Sequence, residues 1–387
     1  MTIWDDMSAH LAELAAADLL RRPVVLESAC GPVVRVDGRE VVCLCSNDYL
    51  GLADDPEIKR AVIEAVGRWG VGAGASRLVC GTSSVHRELE DRLAAFKHTQ
   101  AAVVTSTGWM ANLVAVRALA GKGDLVLCDK LNHASVLDAA MACGAALRTY
   151  PHRDMDRLGE LLARHRPACR RCLIVTDSLF SMDGDLAPLA KLVELKKRFD
   201  AQLLIDEAHA TGVLGPSGRG AAELLAVEDE IDATVGTLSK AIGSMGGFVA
   251  GPGVLIDTIR NTGRAYIYTT APPPAICAGA IRALELIGSQ PQRRQRLLEL
   301  ADGLRRDLAA AGLSTLGSCT QIMPVVVGEA GRAMNVSRRL LEAGFLIPAI
   351  RPPTVPRGTS RLRISLSWNH QEGDLRRLVG VLAQAVG

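Results

Sequence analysis

The chain is predicted to fold as an α/β protein, a mostly parallel central sheet covered by helices and followed by a smaller α+β C-terminal domain. Two observations predict this. Continuous apolar runs at 101–105, 124–128, 146–150, 172–176, 202–206, 233–237 and 247–250 alternate with helical stretches near 109–119, 134–143, 154–165 and 187–199. Strands covered on both faces read as unbroken apolar runs, and parallel neighbours need helical crossovers. From about Pro272 the order changes. Two long helical stretches, 273–288 and 291–311, lead into strands at 322–327 and 361–367, with helices at 331–343 and 371–385.

The elements ahead of the sheet follow from local pattern. Leu11, Leu14, Leu19 and Leu20 on an alanine-rich background predict a surface helix. Strand-like pieces follow at Val33–Val36 and Val41–Cys45, then a helix from Pro56 to about Trp69 and a glycine-rich loop, Gly70 to Gly74. The expected division is residues 1–45 as an N-terminal helix and strands, 46–285 as the large domain and 286–387 as the small one.

Composition narrows the function classes. With 387 residues there is ample chain for a sizeable core, and 22% charged residues is ordinary globular usage. A net charge of +2, with Lys and Arg scattered, gives no electrostatic case for nucleic acid. Apolar runs fall short of the ~18 residues a membrane span needs. Asp5, Asp6, Glu13 and Asp18 are wrong for a secretory or transit peptide, so the cytoplasm is the expected location. Most of the ten cysteines sit among aliphatics as small core residues. The single CxxC, Cys169 to Cys172, has no second pair at a metal-binding spacing, so reduced thiols and no metal are expected.

Chemistry is sought at the carboxyl ends of the strands, where such sheets bind ligands. Leu203 to Ile205 end in Asp206, with His209 three residues on. A buried carboxylate needs a cation or hydrogen-bond donors, and a pyridinium nitrogen is one such cation; the bland reading is a helix N-cap beside a structural histidine. Lys240 lies in the small, hydroxyl-rich turn Gly236 to Gly243, beside Thr237 and Ser239. A desolvated amine suits Schiff-base chemistry, and the two hydroxyls suit a phosphate; the bland reading is a lysine paired with a carboxylate. At Thr105 to Asn112 a strand runs into a helix through Gly108, offering free amides to an anion or simply an N-capped helix start. Trp109 is expected to pack. His133 falls on the same edge, as a structural histidine or one stacked on a flat ring. The loop at Gly70 follows a helix and opens none, which excludes a dinucleotide fingerprint.

Three of these blocks, Asp206-Glu207-Ala208-His209, Thr237-Leu238-Ser239-Lys240-Ala241 and Thr107-Gly108-Trp109, resemble the signatures of the α-oxoamine synthases, pyridoxal-5′-phosphate (PLP) enzymes of fold type I. The segments Ser46 to Leu52 and Phe180 to Asp185 extend the resemblance over nearly the whole chain. It implies a PLP-dependent acyltransferase that condenses an amino acid with an acyl thioester and releases CO2. The tracts Ala349 to Thr359, Gln321 to Gly328 and Leu20 to Arg22 are most similar to members that take L-alanine with pimeloyl-CoA or pimeloyl-carrier protein; glycine-using members are the alternative. Position by position, the resemblance implies that Lys240 is the Schiff-base lysine and proton-transfer base. It sets Asp206 against the pyridine nitrogen, His209 at the ring hydroxyl and His133 over the ring. Gly108, Trp109, Ser181, Thr237 and Ser239 would complete the cofactor site. Arg351 would hold the amino-acid carboxylate and Arg21 and Thr354 the acyl substrate, with Asn47 and His133 also at the substrate. A homodimer is implied. Asp177 stands where some relatives carry Glu, with little effect expected.

Overall fold

Residues 2–387 are described in the structure, a computed structural model, and among them the apolar runs become one seven-stranded sheet. Its strands are β1 (Ala101–Thr105), β2 (Leu125–Asp129), β3 (Ala146–Tyr150), β4 (Cys172–Asp177), β5 (Gln202–Asp206), β6 (Ala233–Thr237) and β7 (Gly247–Gly251). The lateral order is β1-β7-β6-β5-β4-β2-β3. Pairings among the described residues are parallel except those made by β7, which runs antiparallel to β1 and β6. The carboxyl ends of β1, β2, β4, β5 and β6 therefore share one edge with the amino end of β7.

Burial explains why the runs were legible. Strands β2, β4 and β7 are buried at every position, so nothing selects for polar alternation. At the edge, β3 buries only Tyr150. Helices Gly108–Leu119, Ala134–Ala142, Met155–His165 and Leu189–Arg198 follow β1, β2, β3 and β4, within two residues of the expected bounds. Ala111, Val114, Ala115, Val136 and Ala139 on the first two pack into one core with Val103, Val126, Val235 and Val249 of the sheet. These side chains fill the layer between the helices and the strands.

Two longer helices, Ser84–Phe96 and Gly253–Thr262, were not expected, nor were the four-residue helices Ala221–Leu224 and Arg264–Ile267. The first carries a charge on its buried face. Glu90 is 2% exposed and accepts from Arg77 Nη2 at 2.8 Å and from the Val104 amide at 3.0 Å. Its start is also disguised, because His86 Nδ1 takes the Ser83 amide (3.1 Å) where a capping box uses Glu or Gln.

The sheet belongs to a larger unit of residues 52–181 and 186–294; the smaller unit holds the stretch ending at Gly51, residues 182–185 and 295–387. The N-terminal segment thus joins the C-terminal one instead of standing by itself, and the boundaries differ from 45/46 and 285/286. The reason is strand pairing: Arg39–Cys43 pairs antiparallel with Val33–Val36 and parallel with Phe345–Leu346. Asp37 and Gly38, both at positive φ (49° and 72°), make the two-residue turn that closes the hairpin. A second antiparallel sheet orders Ile322–Gly328, Ser360–Ser365 and Ala349–Ile350. The opening helix, Ile3–Ala16, buries none of its side chains and stops before Leu19 and Leu20, where Asp18 takes φ 56°. No helix among the described residues is long and apolar enough to cross a membrane.

Candidate active site

Strand β5 delivers Asp206 to the carboxyl edge, 7% exposed. No helix follows; the chain turns, and Asp206 Oδ1 accepts the Ala208 amide at 2.8 Å. That rules out the N-cap reading. The other oxygen, Oδ2, accepts from Asn112 Nδ2 at 2.7 Å. The turn then brings His209, 6% exposed, to Lys240: Nε2 and Nζ are 2.9 Å apart.

Lys240 stands on the turn after β6. Ahead of it, Thr237 Oγ1 donates to the Gly246 carbonyl (2.9 Å) and meets Ser239 Oγ at 2.7 Å. Helix Gly108–Leu119 starts beside this turn, capped by Thr107, whose hydroxyl accepts the Met110 amide at 3.2 Å. The amides of Gly108 and Trp109 have no acceptor among the described residues. Such free donors at a helix start form an anion site. The N-capped helix start expected of this motif is what the structure shows. The Trp109 side chain, expected to pack, is 45% exposed instead and meets His133 edge-on, ring centroids 6.0 Å apart at 77°. Two helical positions past the cap, it points off the sheet-facing side that Ala111 and Val114 occupy.

His133 caps helix Ala134–Ala142. Its amide donates to Asp177 Oδ1 at 3.2 Å, and Nδ1 meets Ser135 Oγ at 2.8 Å. Desolvation, reinforced by Lys240, holds the imidazole below its ordinary value although Asp206 opposes this. Asp177 ends β4 and is the cross-strand partner of Asp206. Burial, and then the charge of Asp206, push its carboxyl well above the usual carboxylate range. Gly108, Trp109, His133, Asp206, His209, Thr237, Ser239 and Lys240 line one cleft of about 170 Å³, together with Asn112, Ser135 and Asp177. Asn112 and Ser135 were missed. The signal available was a carboxamide inside an apolar helix, between Ala111 and Leu113. A larger recess of about 260 Å³ is lined by Ala233 and Thr234 at the amino end of β6. Its buried ion pair is already satisfied, since Lys97 Nζ bonds Glu207 (3.0 Å), Thr211 (2.9 Å) and the Arg219 carbonyl.

Ser181, at the end of its segment of the larger unit, is not among the residues lining the cleft. The remaining expected residues belong to the smaller unit. There Arg21 Nη2 donates to the Pro352 carbonyl at 3.1 Å, and Arg351 donates to the carbonyls of Asp18 and Leu20. Desolvation and the neighbouring Arg21 lower the Arg351 guanidinium from its ordinary value. Asn47 Oδ1 accepts from Tyr49 Oη (3.0 Å) and Arg363 Nη2 (3.2 Å), which fixes the orientation of its carboxamide. Thr354 is exposed.

An amine on the turn after β6, a buried carboxylate and the free amides of a helix start share one edge of a mixed, mainly parallel sheet. The chain belongs to the aminotransferase class I and II family, whose model matches residues 39–382. Its relatives include the 8-amino-7-oxononanoate synthase of Geobacter sulfurreducens, 50% identical over 380 residues, 98% of this chain and 97% of the relative. That of Citrifermentans bemidjiense is 47% identical over 377 residues, 97% and 96% of the two chains. In three dimensions the chain is similar to a serine palmitoyltransferase from S. paucimobilis with bound PLP–myriocin aldimine. The TM-score is 0.93 at 32% identity, covering 99% of this chain and 97% of that one. The expected fold type I is the fold observed.

Proposed function

We propose that this chain is a PLP-dependent acyltransferase that condenses L-alanine with a pimeloyl thioester. The products are 8-amino-7-oxononanoate, an intermediate of biotin synthesis, with CO2 and free thiol. The observation that carries this reading is near-full-length similarity at 50% identity to a synthase of that name, in a chain whose cleft suits the cofactor.

The cofactor fits the residues present. PLP has an anionic phosphate, a basic ring nitrogen and an aldehyde. The cleft offers the unpartnered amides of Gly108 and Trp109 beside the hydroxyls of Thr237 and Ser239, the carboxylate of Asp206 and the amine of Lys240. When bound, PLP supplies an aldehyde for the substrate amine and a cationic ring that withdraws electrons from Cα. Asp206 would keep a proton on the ring nitrogen; two donors already fix its carboxylate. His209 would bond the ring hydroxyl, His133 would stack on the ring, and Ser181 would join the cofactor contacts on the family pattern. Lys240 Nζ takes the alanine Cα proton and later returns one. Arg351 grips the amino-acid carboxylate in a fork, which selects the Cα bond that breaks. Arg21, Thr354 and Asn47 serve the acyl substrate. The same reading carries a homodimer in the cytoplasm, and a monomer-sized species in sedimentation would overturn the dimer.

The deciding experiment supplies PLP-loaded protein with L-alanine or glycine and a panel of acyl thioesters, including pimeloyl-CoA and pimeloyl-carrier protein, and reads thiol and CO2. Release is expected with alanine and a pimeloyl donor. A preference for glycine would transfer the chain to the glycine-using members of the family. Accumulation of pyridoxamine phosphate without thiol would make it an aminotransferase.

A further inference from the structure

Two side chains connect the carboxylate of Asp206 to the imidazole of His133. Asn112 is 2% exposed within helix Gly108–Leu119, and Ser135 is 1% exposed in the first turn of Ala134–Ala142. Asn112 Nδ2 donates to Asp206 Oδ2 at 2.7 Å and to Ser135 Oγ at 2.9 Å. Ser135 Oγ is 2.8 Å from His133 Nδ1, and the Ser135 main-chain N–H donates to the same nitrogen at 3.3 Å.

The direction of every bond follows from which atoms carry protons. An ionised carboxylate only accepts, so the amide nitrogen of Asn112, not its oxygen, faces Asp206. Both amide protons are then committed. Ser135 Oγ accepts one of them, which leaves its own proton for His133 Nδ1. The main-chain N–H of Ser135 has no lone pair and also donates there. Two donors converge on Nδ1, so Nδ1 carries a lone pair and the imidazole proton sits on Nε2. The arrangement leaves a visible mark, because Asn112 Oδ1 is buried with no partner among the described residues. A buried polar atom left unsatisfied persists when the opposite orientation is worse or a function needs it. Turning the amide would set its oxygen against a carboxylate and orphan two donors.

We propose that Asn112 and Ser135 are positioning residues that hold His133 neutral, as the Nε2–H tautomer, while fixing the rotation of Asp206. The proposal rests on the acyltransferase reading above. In that reaction the thioester carbonyl oxygen gains negative charge as its carbon is attacked, and a neutral N–H donor stabilises it. A donor on the cleft wall also does not compete with Lys240 for the Cα proton. Protonating His133 would turn an N–H at Nδ1 against the Ser135 N–H, so the relay adds to the desolvation that already disfavours the imidazolium.

The test uses full-length protein labelled with ¹⁵N-histidine, with and without PLP, and assigns His133 by the signal lost in His133→Asn. The expected result is a neutral Nε2–H imidazole at pH 7 in both forms. Ser135→Ala should mix the tautomers and raise the pH at which His133 titrates. It should lower kcat about tenfold, the size of one hydrogen bond, and Ser135→Thr should restore all three. An Nδ1–H tautomer or an imidazolium at pH 7 in the wild type would overturn the relay, as would an unchanged titration in Ser135→Ala. Should Ser135→Ala not fold, the wild-type tautomer alone decides. A wild type with the expected tautomer but no acyl transfer counts against the proposed reaction and not against the relay.

Discussion

Lys240 Nζ lies 2.9 Å from His209 Nε2, so the amine proposed to hold the cofactor is paired with a buried imidazole. A neutral imidazole lets the amine shed its proton more easily than a carboxylate partner would, because an opposite charge favours the ammonium. Lys240→Ala should therefore lose the borohydride-reducible PLP adduct, the near-visible absorbance and turnover together. His209→Asn should keep the adduct, because the amine that forms it is untouched. An adduct lost in that variant would mean the imidazole is needed to form it.

Gly247 and Gly108 make contrasting demands. A Cβ at Gly247 would lie 2.5 Å from the Thr107 carbonyl oxygen and 2.6 Å from Gly108 N and Cα, all main chain that cannot give way. The start of β7 and the start of the helix thus touch backbone to backbone. At Gly108 a Cβ would meet Thr237 Cβ at 3.5 Å, an ordinary contact. Gly247→Ala should displace the helix start, costing about 1–3 kcal/mol of stability and weakening PLP binding by about tenfold, the equivalent of ~1.4 kcal/mol. Gly108→Ala should bind PLP nearly as well as wild type. PLP titration followed by fluorescence, with urea unfolding, separates the two; equal losses would contradict the assigned anion site.

Asp177 is pushed above the carboxylate range by burial and then by Asp206. Its folded pKa exceeds the unfolded one, so its protonated form supports the fold below the unfolded value, and that support is lost as pH rises toward the folded value. Asn mimics the neutral acid and can still accept the His133 amide. Asp177→Asn should match or exceed wild-type stability at neutral pH, by a margin that grows between pH 5 and pH 8 in urea melts. A variant clearly weaker than wild type at pH 8 would show that the ionised form is the native one.

How much of this was legible follows from which links are local. The placing of Asp206 and Lys240 on one edge could be read because parallel strands, buried on both faces, end abruptly at Asp206 and at Thr237, three residues before Lys240. Asn112 and Ser135 could not: their meaning lies in a contact between helices 23 residues apart, and each looks like ordinary helix content by itself. The helix around Glu90 was hidden by the charge that Arg77 neutralises. The division into units was hidden because the pairing of Cys43 with Leu346 spans most of the chain. Local periodicity reports burial, whereas partners across long loops leave no mark on it.

Asp124 offers a test of acid sensitivity away from the cleft. Its carboxylate is buried and accepts from Arg170 Nε and Nη2 (both 3.0 Å), Arg171 Nε (3.2 Å) and Nη2 (3.0 Å) and the Gly121 amide (2.9 Å). Burial alone would raise its pKa, but the two guanidiniums overcome this and lower it from 3.8 to about 2. A depressed folded pKa contributes stability that is complete above the unfolded value near 3.8 and disappears as pH falls through about 2. The full shift is worth about 2 kcal/mol, and the exposure of both arginines, 63% and 45%, screens it to about 1 kcal/mol. Asp124→Asn should therefore unfold at lower urea than wild type at pH 7, and the two curves should converge as pH drops from 4 toward 2. Added salt should narrow the gap at pH 7. If the separation were as large at pH 3 as at pH 7 and indifferent to salt, the contribution would come from packing and not from the ion pair.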